Sequence, residues 1–162
     1  MENQLANIRV KQIMSKDVVA VSPHDSLHEA LELIVENRIS ALPVTNSKGQ
    51  CIGLLSTSDL IDLTHELEDE LQNLGRASVG KRQWLIEQLV GALGSERVAE
   101  QMTEDVATVT PEATLPEAAA IMLRNRVHRL PVTDAEGRLL GIVSTIDIMG
   151  VVADSAPAPT KA

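Results

Sequence analysis

Apolar residues recur every three or four positions in two stretches of the chain, which is the spacing of one face of an α-helix. Ser26 and Thr114 precede these stretches, with Glu29 and Glu117 three residues later, so each helix is predicted to begin with a capping box. The predicted apolar faces are Leu27, Ala30, Leu31 and Ile34 in the first stretch and Leu115, Ala118, Ala119 and Met122 in the second.

Short apolar runs flank both helices and predict strands. The run before each helix ends at Pro23 or Pro111, because proline stops a ladder and favours a helix start. The two runs after each helix are separated by a turn that contains Gly49 or Gly137. The predicted strands are 18–21, 41–45 and 51–55 in the first half and 106–109, 129–133 and 139–143 in the second, each half ending in a helix near Asp59 or Asp147.

The two halves are copies of one sequence. Residues 10–63 align with residues 98–151 at a constant offset of 88 without a gap, and 20 of the 54 paired positions are identical. A unit of this length buries too little surface to be stable alone. We therefore expect the two copies to pack together about a pseudo-twofold axis, with a crevice along the interface between them. The predicted fold is α/β (α+β): a β-α-β-β-α repeat over 10–63, a helical insertion over 64–97, a second repeat over 98–153 and a disordered tail over 154–162.

Composition narrows the classes of function. The net charge of −9 and the lack of a basic stripe argue against nucleic acid binding. No apolar run approaches the roughly 18 residues that span a bilayer, and the N-terminus lacks a signal-peptide core, which predicts a cytoplasmic protein. The single Cys51 is predicted to be a buried apolar residue. His24 and His28 lack a third metal ligand, and no catalytic triad stands out, so we predict neither a metal site nor an enzyme.

A strand that contains glycine runs into a Ser-Thr-x-Asp segment in both copies, at 56–59 and 144–147. The N–H groups and the dipole of a helix start favour a phosphate, and a carboxylate there can accept both hydroxyls of a ribose. The alternative is that Asp59 and Asp147 only cap their helices.

The segments 39–44 and 127–132, each followed by a glycine turn and then by G-h-h-S-x-x-D, resemble the cystathionine β-synthase (CBS) domain. The resemblance covers both copies and implies a tandem pair, called a Bateman module. Such modules commonly bind AMP, ADP, ATP or S-adenosylmethionine, act as sensors and form homodimers, and the resemblance implies no required cofactor.

The resemblance also assigns candidate ligand residues by position. His128 and Arg129 match the usual phosphate grip of the family, whereas the first copy has Ser40 and Ala41, so we expect unequal sites, with the phosphate site using Asp59. The assigned residues are Asp59 and Asp147 for ribose, Ser56, Ser58, Ser144, His128 and Arg129 for phosphate or hydroxyl groups, and Val18, Val19, Val106 and Ala107 for adenine.

Other segments have competing interpretations. The insertion can be a lid, a dimer contact, a docking surface or a hairpin packed on its own domain, and residues 75–81 start like a P-loop but continue with Arg82 instead of Ser or Thr. Arg38 and Arg126 can complement a helix dipole or contact a ligand.

The predicted function is a non-catalytic module that binds an adenosine-containing ligand in the cleft between the repeats and signals to a partner protein; the alternative is a ligand-free interaction and dimerisation scaffold.

Overall fold

The computed structural model describes residues 4–62, 91 and 93–155. Most of the predicted insertion, including the P-loop-like segment, and the chain after residue 155 lie outside the described residues. The structure begins with a 3-10 turn at Gln4–Asn7, and residues 93–95 are also helical. The other described helices are α1 (Val10–Ile13), α2 (Leu27–Asn37), α3 (57–62), α4 (Val98–Gln101), α5 (Leu115–Asn125) and α6 (Thr145–Ser155), and the strands are β1 (Ala41–Thr45), β2 (Cys51–Ser56), β3 (Arg129–Thr133) and β4 (Leu139–Ser144).

The predicted capping boxes are confirmed in both copies. Ser26 accepts a hydrogen bond from the Glu29 N–H, and the Glu29 carboxylate accepts one from the Ser26 N–H at 2.8 Å. Thr114 and Glu117 repeat this arrangement at the start of α5. Each reciprocal pair satisfies two N–H groups at a helix end that has no intrahelical partner for them.

Each copy contains one antiparallel hairpin, β1–β2 or β3–β4. The predicted first strands are shorter than expected, because only Val21 and Val109 pair, each as an isolated parallel bridge to Val44 or Val132. Val21 donates to the Pro43 carbonyl, and Thr45 donates to the Val21 carbonyl. The mixed α/β fold expected from the sequence is confirmed, with a single bridging residue in place of a full first strand.

The described chain groups into two compact units, and each copy's opening segment belongs with the other copy. The first-repeat unit contains residues 19–47, 52–62 and 93–105, and the second-repeat unit contains residues 4–18, 48–51 and 106–155. Val98 is fully buried in the core of the first-repeat unit, and Val10 is fully buried in that of the second-repeat unit. The domain bounds along the sequence therefore differ from the grouping in space.

Backbone hydrogen bonds hold both exchanged segments. The Val10 N–H donates to the Ala113 carbonyl in the second-repeat unit, and the Val98 N–H donates to the Asp25 carbonyl in the first-repeat unit, both at 2.9 Å. These contacts place α1 and α4 beside the starts of α5 and α2.

Candidate functional site

Ser144 at the end of β4 and Asp147 in the first turn of α6 form a hydrogen-bonded pair, the Ser144–Asp147 corner. The Ser144 N–H and hydroxyl both donate to Oδ2 of Asp147 at 2.7 Å, and the Asp147 N–H donates to the Ser144 Oγ at 3.3 Å. Asp147 therefore caps the helix through one carboxylate oxygen. Within the described chain, its Oδ1 accepts no hydrogen bond and is free to bind an added hydroxyl.

The corresponding Ser56–Asp59 corner of the first-repeat unit has the same two hydrogen bonds to Oδ2 and two further hydroxyl groups nearby. The Ser56 N–H and hydroxyl donate to Oδ2 of Asp59 at 2.6 and 2.8 Å. The Ser58 hydroxyl lies 2.8 Å from that of Ser56, and the Thr103 hydroxyl lies 3.5 Å from Oδ1 of Asp59. Oδ1 of Asp59 thus has a weak donor nearby, whereas no described residue donates to Oδ1 of Asp147.

The first N–H groups of the two helices are already bonded. The Thr145 N–H donates to the His128 carbonyl at 2.9 Å, and the Thr57 N–H donates to the Ser40 carbonyl at 3.0 Å. The sequence predicts that N–H groups at these helix starts favour a phosphate. The first N–H of each helix is not available for one, because a carbonyl of the loop that enters β1 or β3 accepts its hydrogen bond.

Arg129 provides such a side chain in the second-repeat unit. It is the direct ladder partner of Ser144 in the β3–β4 hairpin, and directly opposed residues share a face with their Cβ atoms about 5 Å apart. Its half-buried side chain makes no hydrogen bond or ion pair within the described part of the chain. Among the described residues, none engages the guanidinium of Arg129, which belongs to the residue directly opposite Ser144. In the first-repeat unit, Ala41 occupies the equivalent position.

His128 and Arg129 have different surroundings. His128, which lies at a bend just before β3, lines an apolar groove of about 440 Å³ that Arg129 does not line. The groove runs between α5 and α6, and Thr145 also borders it. Its remaining lining residues are Ala119, Met122, Leu123, Arg126, Val127, Ile148 and Met149.

The four residues assigned to adenine are half-buried and divide between the units. Val18, Val106 and Ala107 belong to the second-repeat unit, where Ala107 packs against the core. Val19 belongs to the first-repeat unit and packs against that core.

A methionine–glycine contact that the sequence did not predict lies three residues before the serine of each Ser–Asp corner. The sulfur of Met14 lies 2.8 Å from where a Cβ on Gly141 would be, and the sulfur of Met102 lies 2.8 Å from the same point on Gly53. All four residues are identities of the internal repeat, but nothing in the sequence indicates that each methionine covers the glycine of the other copy.

Arg38 and Arg126 adopt left-handed backbone at the ends of α2 and α5, with φ of 52° and 54°. Both are exposed, and neither has a side-chain partner within the described residues. Their backbone N–H groups close the helix ends by donating to carbonyls of the last turn.

Other candidate chemistry is limited in the described residues. No group of three or more His, Cys, Asp or Glu side chains among them is arranged to hold a metal ion. Cys51 is half-buried at the start of β2, not fully buried as expected, because its strand begins at the edge of the core. Of the helices that the structure describes, none combines the length and apolarity that crossing a bilayer requires.

A hairpin that ends in a capped Ser–Asp corner, present twice with exchanged opening segments, defines a tandem α/β repeat protein. The sequence model of the CBS domain matches residues 10–66 and 96–154, so the chain belongs to the CBS domain family as a tandem pair.

Three relatives illustrate the similarity. An uncharacterised protein of Methanocaldococcus jannaschii, MJ1426, is 34% identical over 151 residues, which cover 86% of this chain and 88% of that protein. The chloroplastic CBS domain-containing protein CBSX1 of Arabidopsis thaliana is 33% identical over 146 residues, covering 83% of this chain and 60% of that protein. The crystal structure of CBSX2 of the same plant in complex with AMP matches with a TM-score of 0.70 at 26% identity, covering 92% of this chain and 99% of that one.

Proposed function

We propose that the chain is a non-catalytic regulatory module that binds an adenosine-containing ligand, AMP, ADP, ATP or S-adenosylmethionine, and passes the ligand state to a partner protein. The observation that carries this proposal is the corner of the second-repeat unit, where Arg129 lies opposite Ser144 and where, among the described residues, neither the Arg129 side chain nor Oδ1 of Asp147 has a partner. The similar CBSX2 structure contains AMP, which supports this ligand class.

In this proposal the second-repeat unit provides a ribose grip and a phosphate grip. Oδ1 of Asp147 accepts a ribose hydroxyl while Oδ2 stays engaged by Ser144. Arg129 binds the phosphate, because its planar guanidinium donates two parallel hydrogen bonds to one anion. Val106 and Ala107, which are half-buried, cover the adenine.

The resemblance to the family implies Asp59 as the ribose residue of the phosphate site, whereas strand pairing sets Arg129 opposite Ser144, which binds Asp147. Asp147→Asn and Asp59→Asn separate these two possibilities. Asparagine keeps an oxygen to cap the helix but loses the carboxylate charge, so the fold is retained. The variant that loses more affinity for AMP in calorimetry identifies the ribose residue, and we propose that it is Asp147→Asn.

We further propose that the first-repeat unit binds adenosyl ligands more weakly. It has Ala41 in place of Arg129, and the Thr103 hydroxyl lies near Oδ1 of Asp59. A charge-assisted hydrogen bond contributes about 1.5–3 kcal/mol, so the missing arginine alone corresponds to at least a ten-fold difference for a phosphorylated ligand.

A thermal-shift panel with AMP, ADP, ATP, S-adenosylmethionine and NADH tests the ligand class. A ligand that binds only the folded state stabilises it by about 2.7 kcal/mol at 100 times Kd, which raises the melting temperature by several degrees. No shift with any adenosyl compound would contradict the proposal.

One observation favours the second candidate function, an interaction scaffold without a ligand. Asp59 and Asp147 both cap helices through Oδ2, so each has a structural role that requires no ligand. The same thermal-shift panel distinguishes the two functions. If the chain is a scaffold without a ligand, Asp147→Asn changes the free energy of unfolding, and neither the wild type nor the variant binds a nucleotide.

We propose that two copies associate through the groove side of the second-repeat unit. Leu123 and Met149 line the groove and are 80% and 62% exposed, and burying such a side chain contributes about 1.5–3 kcal/mol. Met149→Glu should shift the chain from dimer to monomer in light scattering. Leu140→Glu, on β4 and away from the groove lining, should not. A protein effector, a cytoplasmic location and the absence of nucleic acid or membrane partners remain predictions.

A further inference from the structure

Each Ser–Asp corner is supported from behind by a methionine of the other copy. In the second-repeat unit, the Met14 sulfur and Cγ occupy the space beside Gly141, at 2.8 and 3.2 Å from a Cβ position that glycine leaves empty. In the first-repeat unit, Met102 occupies the space beside Gly53 in the same way. Both methionines are half-buried, and each follows a one-turn helix whose first valine is fully buried.

Backbone pairing fixes the residue after each methionine to the same strand. Ser15 and Ile142 exchange two hydrogen bonds, at 2.9 and 3.0 Å, and Thr103 and Leu54 exchange two of the same lengths. Ile142 is only two residues before Ser144, and Leu54 is only two residues before Ser56. The exchanged segment therefore grips β2 or β4 immediately before the strand reaches its Ser–Asp corner.

A thioether suits this position because it is unbranched and polarisable and fits closely against bare backbone. Gly141 has no side chain of its own, so Met14 supplies the packing that holds this part of β4. The corner in turn depends on the exact position of Ser144 at the end of β4, since its N–H and hydroxyl both donate to one oxygen of Asp147 at 2.7 Å.

We propose that Met14 and Met102 are positioning residues: Met14 holds the Ser144–Asp147 corner and Met102 holds the Ser56–Asp59 corner. Each corner is thus built from one copy and held in place by the opening segment of the other. The consequence for ligand affinity rests on the proposed function, but the positioning itself is independent of any ligand.

Hydrogen exchange of single amides in the full-length, ligand-free chain tests the positioning. Met14→Ala should speed exchange of the Ser144 and Asp147 amides, both bonded within the corner, by about ten-fold, while the Ser56 amide stays as in the wild type. Met102→Ala should have the opposite selectivity. The matched control is Met122→Ala, which truncates a buried methionine of the second-repeat core that does not line the Gly141 contact.

The outcomes separate positioning from general destabilisation. If Met122→Ala speeds exchange at Ser144 as much as Met14→Ala does, or if Met14→Ala affects both corners equally or neither, the proposal is overturned. Should Met14→Ala fail to fold, Met14→Val gives the same comparison, since it keeps part of the apolar side chain but places no sulfur over Gly141.

Calorimetry with AMP then tests the consequence for binding. Met14→Ala should weaken the stronger site by about three- to ten-fold, in the lower part of the range that coupling between neighbouring residues produces, and Met102→Ala should leave that site unchanged. Equal weakening by both variants contradicts the proposal. If the wild-type chain binds no adenosyl compound, the proposed function fails, whereas the exchange data still decide the positioning role.

Discussion

Gly141→Ala should destabilise the chain, because the site of the added methyl group is already occupied. A Cβ there would lie 2.7 Å from the carbonyl oxygen of Ser15 and 2.8 Å from the sulfur of Met14. The methionine tip can move aside, but the carbonyl oxygen accepts a hydrogen bond from the Ile142 N–H at 3.0 Å and cannot retreat without breaking it. Overpacking of this kind costs about 1–3 kcal/mol, and the backbone contact places the expected loss near the upper end.

Urea unfolding of the two variants Gly141→Ala and Gly150→Ala provides the measurement. A loss of about 2 kcal/mol corresponds to a midpoint lower by about 1 M, since small proteins have slopes of about 1–3 kcal/mol per M. Gly150 lies inside α6 with nothing within 4 Å of its Cβ position, so alanine should stabilise it by up to about 1 kcal/mol. An unchanged or higher midpoint for Gly141→Ala would refute the packing described for this strand.

Two further variants test local features of the fold. Arg126→Gly should raise the free energy of unfolding by about 0.5–1 kcal/mol, because φ is 54° there and glycine adopts left-handed backbone without a side-chain clash; a lower urea midpoint would contradict this. Hydrogen bonds from the backbone and side chain of Ser26 lower the pKa of Glu29, and Thr114 lowers the pKa of Glu117 in the same way. A carboxyl whose pKa is lowered in the folded state stabilises the fold at a pH above its unfolded pKa, and this stability is lost as the pH falls below about 4.5. The double variant Glu29→Gln, Glu117→Gln lacks both carboxyls and should therefore lose less stability than the wild type between about pH 5 and 3. Equal acid sensitivity of the two proteins would show that the capping carboxylates are not the titrating groups.

The features that the sequence predicted well are local. Ser26 and Glu29 are three residues apart, and a capping box needs no more than that spacing. The hairpin strands followed from short apolar runs around a glycine turn, and Gly49 and Gly137 do adopt positive φ, at 75° and 79°. The duplication made every such prediction twice, which is why the family could be named from the sequence.

The features that the sequence did not predict depend on long-range contacts. The Thr145 N–H donates to the carbonyl of His128, seventeen positions earlier, and no local pattern indicates that this one N–H is already bonded. Met14 and Gly141 were visible as repeated residues, but only the exchange of opening segments brings them together. His128 and Arg129 are adjacent in sequence, yet only His128 lines the groove between α5 and α6, whereas Arg129 pairs with Ser144 in the hairpin.

The most direct test of the central claim is calorimetric titration of AMP into the wild-type chain and into Arg129→Ala. Arg129 has no partner within the described chain, so removing it should leave the fold intact while deleting the phosphate grip. A lost charge-assisted hydrogen bond of about 1.5–3 kcal/mol predicts at least ten-fold weaker binding. Unchanged affinity in Arg129→Ala, with the wild type binding AMP, would contradict a phosphate site at the Ser144–Asp147 corner.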